Sequence, residues 1–342
     1  MNETKLLLIY TGGTIGMVKD KNGSLVPYHI SEIFKHVPEI SRLNIQIDTI
    51  SMKPLIDSSN TTPEFWLNII NILKQNYYLY DGFVILHGTD TMAYTASAIS
   101  FLIENNKKPI IFTGSQLPIS ELRTDGRENL ITSLTIAAAK LSNGMPVVPE
   151  VFIYFENKLT RANRTTKYST NLFNAFISPN YPQLASAGIE ITYNFPYINY
   201  SSKEETLFND KLETQVSIIK LFPGMNEEIF NSLLSIKGLK GIVLETYGSG
   251  NAPTNEWFLK TISKAIEKEI CILNVTQCLI GGIKMGTYET SRKMLELGVI
   301  DGKDMTTEAA VTKLMYILSK KFNYQETLYF LQHSLRGEMT EE

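Results

Sequence analysis

The chain is poor in cysteine and histidine. Among its 342 residues the only cysteines are Cys271 and Cys278. They form no Cys-x-x-Cys pair and have no histidine pair nearby, so neither a disulfide framework nor a zinc site is indicated. Two isolated thiols fit a reducing compartment. The four histidines, His29, His36, His87 and His333, show no metal-ligand spacing, which leaves a metal-dependent hydrolase without support. Any catalysis is expected to need neither metal nor cofactor. Lys plus Arg number 32 and Asp plus Glu 35, for a net charge of −3, and no long block of like charges occurs. Such a surface has little to attract a phosphate backbone, so no nucleic-acid partner is expected. No apolar run approaches the roughly 18 residues of a membrane-spanning helix, and no membrane association is expected. Residues 1 to 5 (MNETK) lead into an apolar stretch too short for a signal peptide and without a cleavage site behind it, so the expected location is the cytoplasm.

What is present is ordinary globular material, 43% hydrophobic, 10% aromatic and 20% charged. A chain of this length is expected to bury about three quarters of its unfolded surface and to form roughly two domains. Short apolar runs bounded by turn residues recur at 5–10 (KLLLIY), 83–86 (FVIL), 109–113 (PIIFT), 151–155 (VFIYF), 241–247 (GIVLETY) and 271–275 (CILNV). Continuous runs of this length read as strands buried on both faces, the habit of parallel sheets covered by helices. Helical spacing of apolar residues marks 63–76, 91–104, 128–141, 255–268 and 306–319, and Thr61 with Glu64 has the form of a capping box before the first of these. Alternating strands and helices predict an α/β fold. A larger N-terminal domain with a mostly parallel sheet flanked by helices is expected over 1–190. The polar, Tyr- and Asn-rich stretch 191–215 reads as a linker, and a smaller α/β domain follows over 216–342.

Glycine and hydroxyl residues gather just after the predicted strands: Thr11-Gly12-Gly13-Thr14, His87-Gly88-Thr89-Asp90 and Thr113-Gly114-Ser115-Gln116. In open α/β sheets ligands bind outside the carboxyl ends of the strands, so three such turns would line one crevice. The pattern is not Gly-x-Gly-x-x-Gly and lacks the Gly-Lys-Thr ending of a phosphate loop, which argues against a nucleotide. Several of these residues also have a plain structural reading. Gly12-Gly13 could be only a tight loop, and Thr89 or Asp90 only the N-cap of the helix that follows. Asp57-Ser58-Ser59 could be loop and cap before the 63–76 helix, and Lys167, within RANRTTK at 161–167, a solvated surface charge. The functional reading makes Thr14 and Thr89 a pair of hydroxyls, Asp90 a carboxylate for a cationic group and Ser58 and Ser59 donors beside Asp57. A lysine becomes a base only where burial strips it of water, and a threonine hydroxyl needs such a neighbour to become a nucleophile.

Taken together the motifs resemble those of the bacterial-type L-asparaginases, in particular the cytoplasmic type I enzymes, over nearly the whole length. The resemblance rests on Thr11-Gly12-Gly13-Thr14-Ile15-Gly16 and on His87-Gly88-Thr89-Asp90-Thr91-Met92-Ala93-Tyr94-Thr95-Ala96. Thr113-Gly114-Ser115-Gln116, Asn163-Arg164-Thr165-Thr166-Lys167, Tyr247-Gly248-Ser249-Gly250-Asn251-Ala252-Pro253 and Asn274-Val275-Thr276-Gln277-Cys278 agree with it. The resemblance implies that Thr14 is the nucleophile and that Thr89, Asp90 and Lys167 form the second catalytic group. It further implies that Ser58 holds the α-carboxylate of L-asparagine, that Asp90 holds the α-ammonium, and that the protein is a homodimer or a dimer of dimers. Two positions depart from the family. The loop tyrosine of many members falls near Leu25, leaving Tyr28, or Tyr288 from a partner subunit, as candidates. An arginine that regulated type I enzymes carry before Tyr-Gly-x-Gly-Asn is replaced by Glu245, which argues against an inherited allosteric asparagine site.

The reading is therefore hydrolysis of L-asparagine to L-aspartate and ammonia through a threonine ester. Two rivals are an asparaginase-like component of a tRNA-dependent amidotransferase, for which the charge offers no RNA surface, and a non-catalytic amino-acid sensor, against which stand the four reactive side chains. A nicotinamide dehydrogenase lacks its fingerprint.

Overall fold

The computed structural model describes residues 3–19, 25–27, 30–203 and 205–341. It divides into two compact units, Met1–Asp210 and Lys211–Glu342. The first is built on an eight-stranded sheet of β1 (Thr4–Gly12), β2 (Ile45–Ile56), β3 (Gly82–Leu86), β4 (Ile110–Thr113), β5 (Val151–Phe155), β6 (Lys158–Arg161), β7 (Ala185–Ala187) and β8 (Ile191–Tyr193), in the order β8-β7-β6-β5-β4-β3-β1-β2. The β2/β1, β1/β3, β3/β4 and β4/β5 pairs are parallel and the rest antiparallel. Leu6 to Tyr10, Phe83 to Leu86 and Ile110 to Phe112 are buried, as their continuous apolar runs require of strands covered on both faces.

The longest of the strands that the apolar runs do not reveal is β2. It lies at the edge of the sheet, is only partly buried and carries Lys53 and Pro54, so its sequence alternates instead of running apolar, as edge strands do. Helices α1 (Ile30–His36), α2 (Pro63–Asn76), α3 (Met92–Leu102) and α4 (Gly126–Ala138) accompany the sheet. Buried residues lie all round α3, which marks a helix enclosed within a core. The cap of α2 is Thr62, whose hydroxyl accepts from the Phe65 amide at 3.3 Å. The expected Thr61 and Glu64 box is therefore corrected: the Thr61 hydroxyl instead pairs with the Thr91 hydroxyl, 3.2 Å away.

The linker expected at 191–215 is also corrected. Ile191–Tyr193 is a sheet strand paired with Ala185–Ala187, and Leu207–Phe208 pairs with Ile103–Glu104. The stretch looks polar because its strands are short, yet Ile198 enters the core and Tyr197 meets Tyr181 edge to face. Chain division falls at Asp210 and Lys211.

The second unit has a parallel sheet in the order β9 (Val216–Lys220), β10 (Gly241–Thr246), β11 (Cys271–Thr276) and β12 (Ile300–Asp301). Helices α5 (Glu227–Leu234), α6 (Glu256–Ile266), α7 (Glu289–Leu297), α8 (Thr307–Leu318) and α9 (Tyr324–Gln332) complete it. Phe230, Ile242, Leu244, Phe258, Ile262 and Met294 belong to its own core. The chain after α9 is fastened to α8 by an ion pair between Lys313 and Glu338, 2.7 Å apart with both side chains wholly buried.

Candidate active site

Parallel pairing fixes where the three polar turns fall. Tyr10 is in register with Leu86, and Leu86 with Thr113, so the turns leave one edge of the sheet side by side. Two of their hydroxyls are used up in holding them there. Thr11 donates to the Leu86 carbonyl at 2.8 Å and Thr113 to the Tyr154 carbonyl at 2.9 Å. The first two turns then meet through their glycine backbones. Gly13 has φ +89°, and a Cβ there would lie 2.4 Å from the Gly88 nitrogen; one on Gly88 would lie 2.5 Å from the Ser58 hydroxyl. Only glycine permits this approach.

Between the turns is a cavity of about 220 Å³, below the range of roughly 300–1,000 Å³ that suits drug-sized ligands and therefore sized for something smaller. Thr14, Asp57, Ser58, Thr89, Asp90 and Lys167 all line it, with Gly13, Met17, Gly88, Gln116 and Thr170. Ser59 does not: its hydroxyl and amide both donate to Asp57, at 2.8 and 2.9 Å, so Asp57 is a cap as well as a wall of the cavity. A larger concavity of about 480 Å³ in the second unit is walled by Phe222, Met225, Tyr247 and Trp257. It lacks the convergence of hydroxyl, carboxylate and ammonium found in the first.

Lys167 sits on a short strand, Thr166–Lys167, paired with Phe176–Ile177. Its Nζ donates to the Thr89 hydroxyl at 2.8 Å and to the Asp90 carboxylate at 2.7 Å. Its side chain is only 15% exposed, so it is no solvated surface charge. Thr89 and Asp90 do not cap α3, whose cap position is Thr91 with no side-chain cap bond. The Thr91 hydroxyl instead donates to the Ser58 carbonyl at 2.7 Å, tying the second turn to the Asp57 loop. Gln116 escapes a residue-by-residue reading of the sequence although it ends the third polar turn. Its amide and that of Leu117 donate to Asp125 at the start of α4. Burial pushes the Asp125 carboxyl up despite those bonds.

His87, beneath the second turn, lies edge-on to Phe65 and Phe112. Its Nδ1 is 2.7 Å from the Gly88 carbonyl, which can only accept, so Nδ1 carries the proton; among the described residues Nε2 has no partner. Burial pushes its pKa down from 6.5 to about 4. Above pH 6.5 both folded and unfolded chains hold it neutral; below that the unfolded chain gains a proton that the folded chain refuses. Stability is expected to fall as pH drops from 6.5 toward 4, by up to about 3 kcal/mol. Melting temperatures between pH 7 and 5, where most carboxylates are still ionised, should drop more steeply for the wild type than for His87→Gln. Equal slopes would contradict this.

Of the tyrosine candidates, Tyr28 lies outside the described residues, and Tyr288 stands exposed before α7 in the second unit. Glu245, on β10, accepts from the Thr307 hydroxyl and lies 3.9 Å from Lys220. Among the described residues no group of three or more His, Cys, Asp or Glu side chains could hold a metal ion, and no helix is long and apolar enough to cross a membrane.

A mixed α/β sheet whose glycine turns line one cavity with threonine, aspartate and lysine side chains has a counterpart among known proteins. Residues 5–198 match the family described as Asparaginase, N-terminal, and residues 215–328 match the Glutaminase/Asparaginase C-terminal domain. The chain belongs to the asparaginase family, and its likeness is to the type I enzymes. It is 41% identical to L-asparaginase 1 of Escherichia coli K12, covering 99% of both chains. The crystal structure of L-asparaginase I from Vibrio cholerae superposes with a TM-score of 0.91 at 40% identity, covering 99% of this chain and 100% of that one. A component of the glutamyl-tRNA(Gln) amidotransferase of Pyrococcus abyssi is 32% identical over 98% of this chain and 77% of its own length.

Proposed function

We propose that this asparaginase hydrolyses the side-chain amide of L-asparagine in two steps, with Thr14 as nucleophile. In the first, the Thr14 oxygen bonds the amide carbon, the carbon–nitrogen bond breaks, and the hydroxyl proton ends on the departing nitrogen as ammonia. In the second, water splits the resulting β-aspartyl ester, and two moderate barriers replace one high one. Lys167, held between Asp90 and Thr89, is the proton relay. The observation that carries this reading is that the Lys167 ammonium bonds Thr89 and Asp90 at 2.8 and 2.7 Å in the cavity that Thr14 also lines. Backbone N–H groups of the glycine turns supply oxyanion donors, each typically worth about 3 kcal/mol.

Asp57 and Asp90 give the cavity two carboxylates for the substrate ammonium, while Ser58 and the amides beside it meet the α-carboxylate. Asparagine and glutamine differ by one methylene, worth only about 1–3 kcal/mol. Ammonia release from each over a wide concentration range tests activity, preference and cooperativity together; a hyperbolic response is expected, given Glu245. In solution the assembly is a homodimer or a dimer of dimers, as light scattering should show. RNA binding at physiological salt would favour the amidotransferase reading instead.

Lys167→Met should abolish turnover at every pH. If Lys167→Arg, which keeps the positive charge but does not give up its proton, retained wild-type turnover, the ammonium would serve as a fixed positive charge and the relay would be wrong.

A further inference from the structure

We propose that Gln116 is a positioning residue for the hydrolytic half-reaction: its carboxamide oxygen accepts a hydrogen bond from the Thr89 hydroxyl, so that Thr89 shows the cavity a lone pair. The inference rests on the two-step reading above. Gln116 spans two partners. Its Nε2 donates to the Leu172 carbonyl at 3.0 Å, and because a carbonyl can only accept, the nitrogen must be at that end and the oxygen at the other. That oxygen lies 3.3 Å from the Thr89 hydroxyl, long for such a bond but within reach. Lys167 approaches the same hydroxyl at 2.8 Å, and an ammonium can only donate. The Thr89 oxygen therefore accepts a hydrogen bond from Lys167, and its hydroxyl donates one to Gln116. One lone pair remains, and Thr89 and Gln116 both line the cavity.

The third turn is stiff enough to hold this arrangement. The Gln116 amide meets both Asp125 oxygens, at 2.9 and 3.1 Å. Asn129, on α4, donates to Asp125 at 3.3 Å and to the Gly114 carbonyl at 2.9 Å. Backbone and carboxamide of Gln116 are thus fixed at both ends, one by α4 and the other by the segment that follows Lys167.

In the hydrolytic step the water oxygen bonds the acyl carbon, the bond from that carbon to the Thr14 oxygen breaks, and the proton that water loses ends on Thr14. Thr89 holds the water through one hydrogen, using the free lone pair, and keeps its own proton. A Thr89 hydroxyl free to rotate would turn that proton toward the cavity for part of the time and present a donor where an acceptor is needed. The first step consumes no water and depends on Gln116 far less.

The test is Gln116→Met, of similar length but without the acceptor, in the full chain with L-asparagine. Ammonia release is expected to fall about tenfold in kcat with KM falling nearly in proportion, because kcat/KM reports binding and the first step, which Gln116 leaves almost untouched. Hydroxylamine, a stronger nucleophile than water, should restore the rate and yield aspartyl hydroxamate. Wild-type kcat in the variant, a raised KM with unchanged kcat, or a loss that hydroxylamine does not repair would each overturn the inference. Failure of the wild type to release ammonia, or to form hydroxamate, would instead overturn the two-step reading itself. Should Gln116→Met fold poorly by circular dichroism, Gln116→Leu carries the same expectations.

Discussion

Thr14→Ala is expected to lower turnover at least about a thousandfold while leaving the fold in place. The two halves of that statement have separate grounds. Thr14 lines the cavity, and no other side chain there combines a hydroxyl with a position on the first glycine turn. Its hydroxyl makes no hydrogen bond to a described residue, and its side chain is only half-buried, so its removal leaves no buried group unpaired and costs less than about 0.5 kcal/mol of stability. Thr89→Val, which keeps the shape and deletes the oxygen that Lys167 grips, is expected to fall by a similar factor. The measurement is ammonia release by protein shown to be folded by circular dichroism. More than a few per cent of wild-type activity in Thr14→Ala would remove Thr14 from the nucleophile's role.

The second large effect is on stability and lies in the other unit. Glu338 is wholly buried. Burial alone would raise its carboxyl, yet the Lys313 ammonium and the amides of Leu335 and Arg336 hold it below the usual carboxylate range. Lys313 also donates to the Leu331 and His333 carbonyls at 3.1 and 2.6 Å. Glu338→Ala strands a buried ammonium, and breaking such a pair costs about 3–5 kcal/mol. Replacing both partners by apolar residues, as in Lys313→Met with Glu338→Leu, is expected to recover most of that loss, because no charge is then left without a partner. Chemical denaturation of the two variants compares them. A cost below about 1 kcal/mol for Glu338→Ala would show that water reaches the pair after all.

The apolar runs at 5–10, 83–86 and 271–275 are legible because a strand buried on both faces admits almost nothing else, and they reappear as β1, β3 and β11. Strand β2 is not legible, since an edge strand tolerates lysine and proline and so loses the pattern. The expected Thr61 cap falls one residue short because Thr61 and Thr62 are chemically equivalent in sequence, and only the path of the chain selects which hydroxyl meets the Phe65 amide. Ser59 looks equal to Ser58 for the same reason; the turn after Asp57 spends it on the carboxylate.

Residue order is enough to establish the alternation of strand and helix, the placement of glycine and threonine directly after β1 and β3, and the family. These are local properties: hydrophobic period, turn chemistry and motif spacing survive without any long-range contact. It takes the folded chain to show that Lys167, 77 positions from Asp90, stands against it with little exposure, and that Gln116 reaches Thr89. Such meetings depend on strand order and register, which bring remote segments to one edge of a sheet, and no local pattern records them.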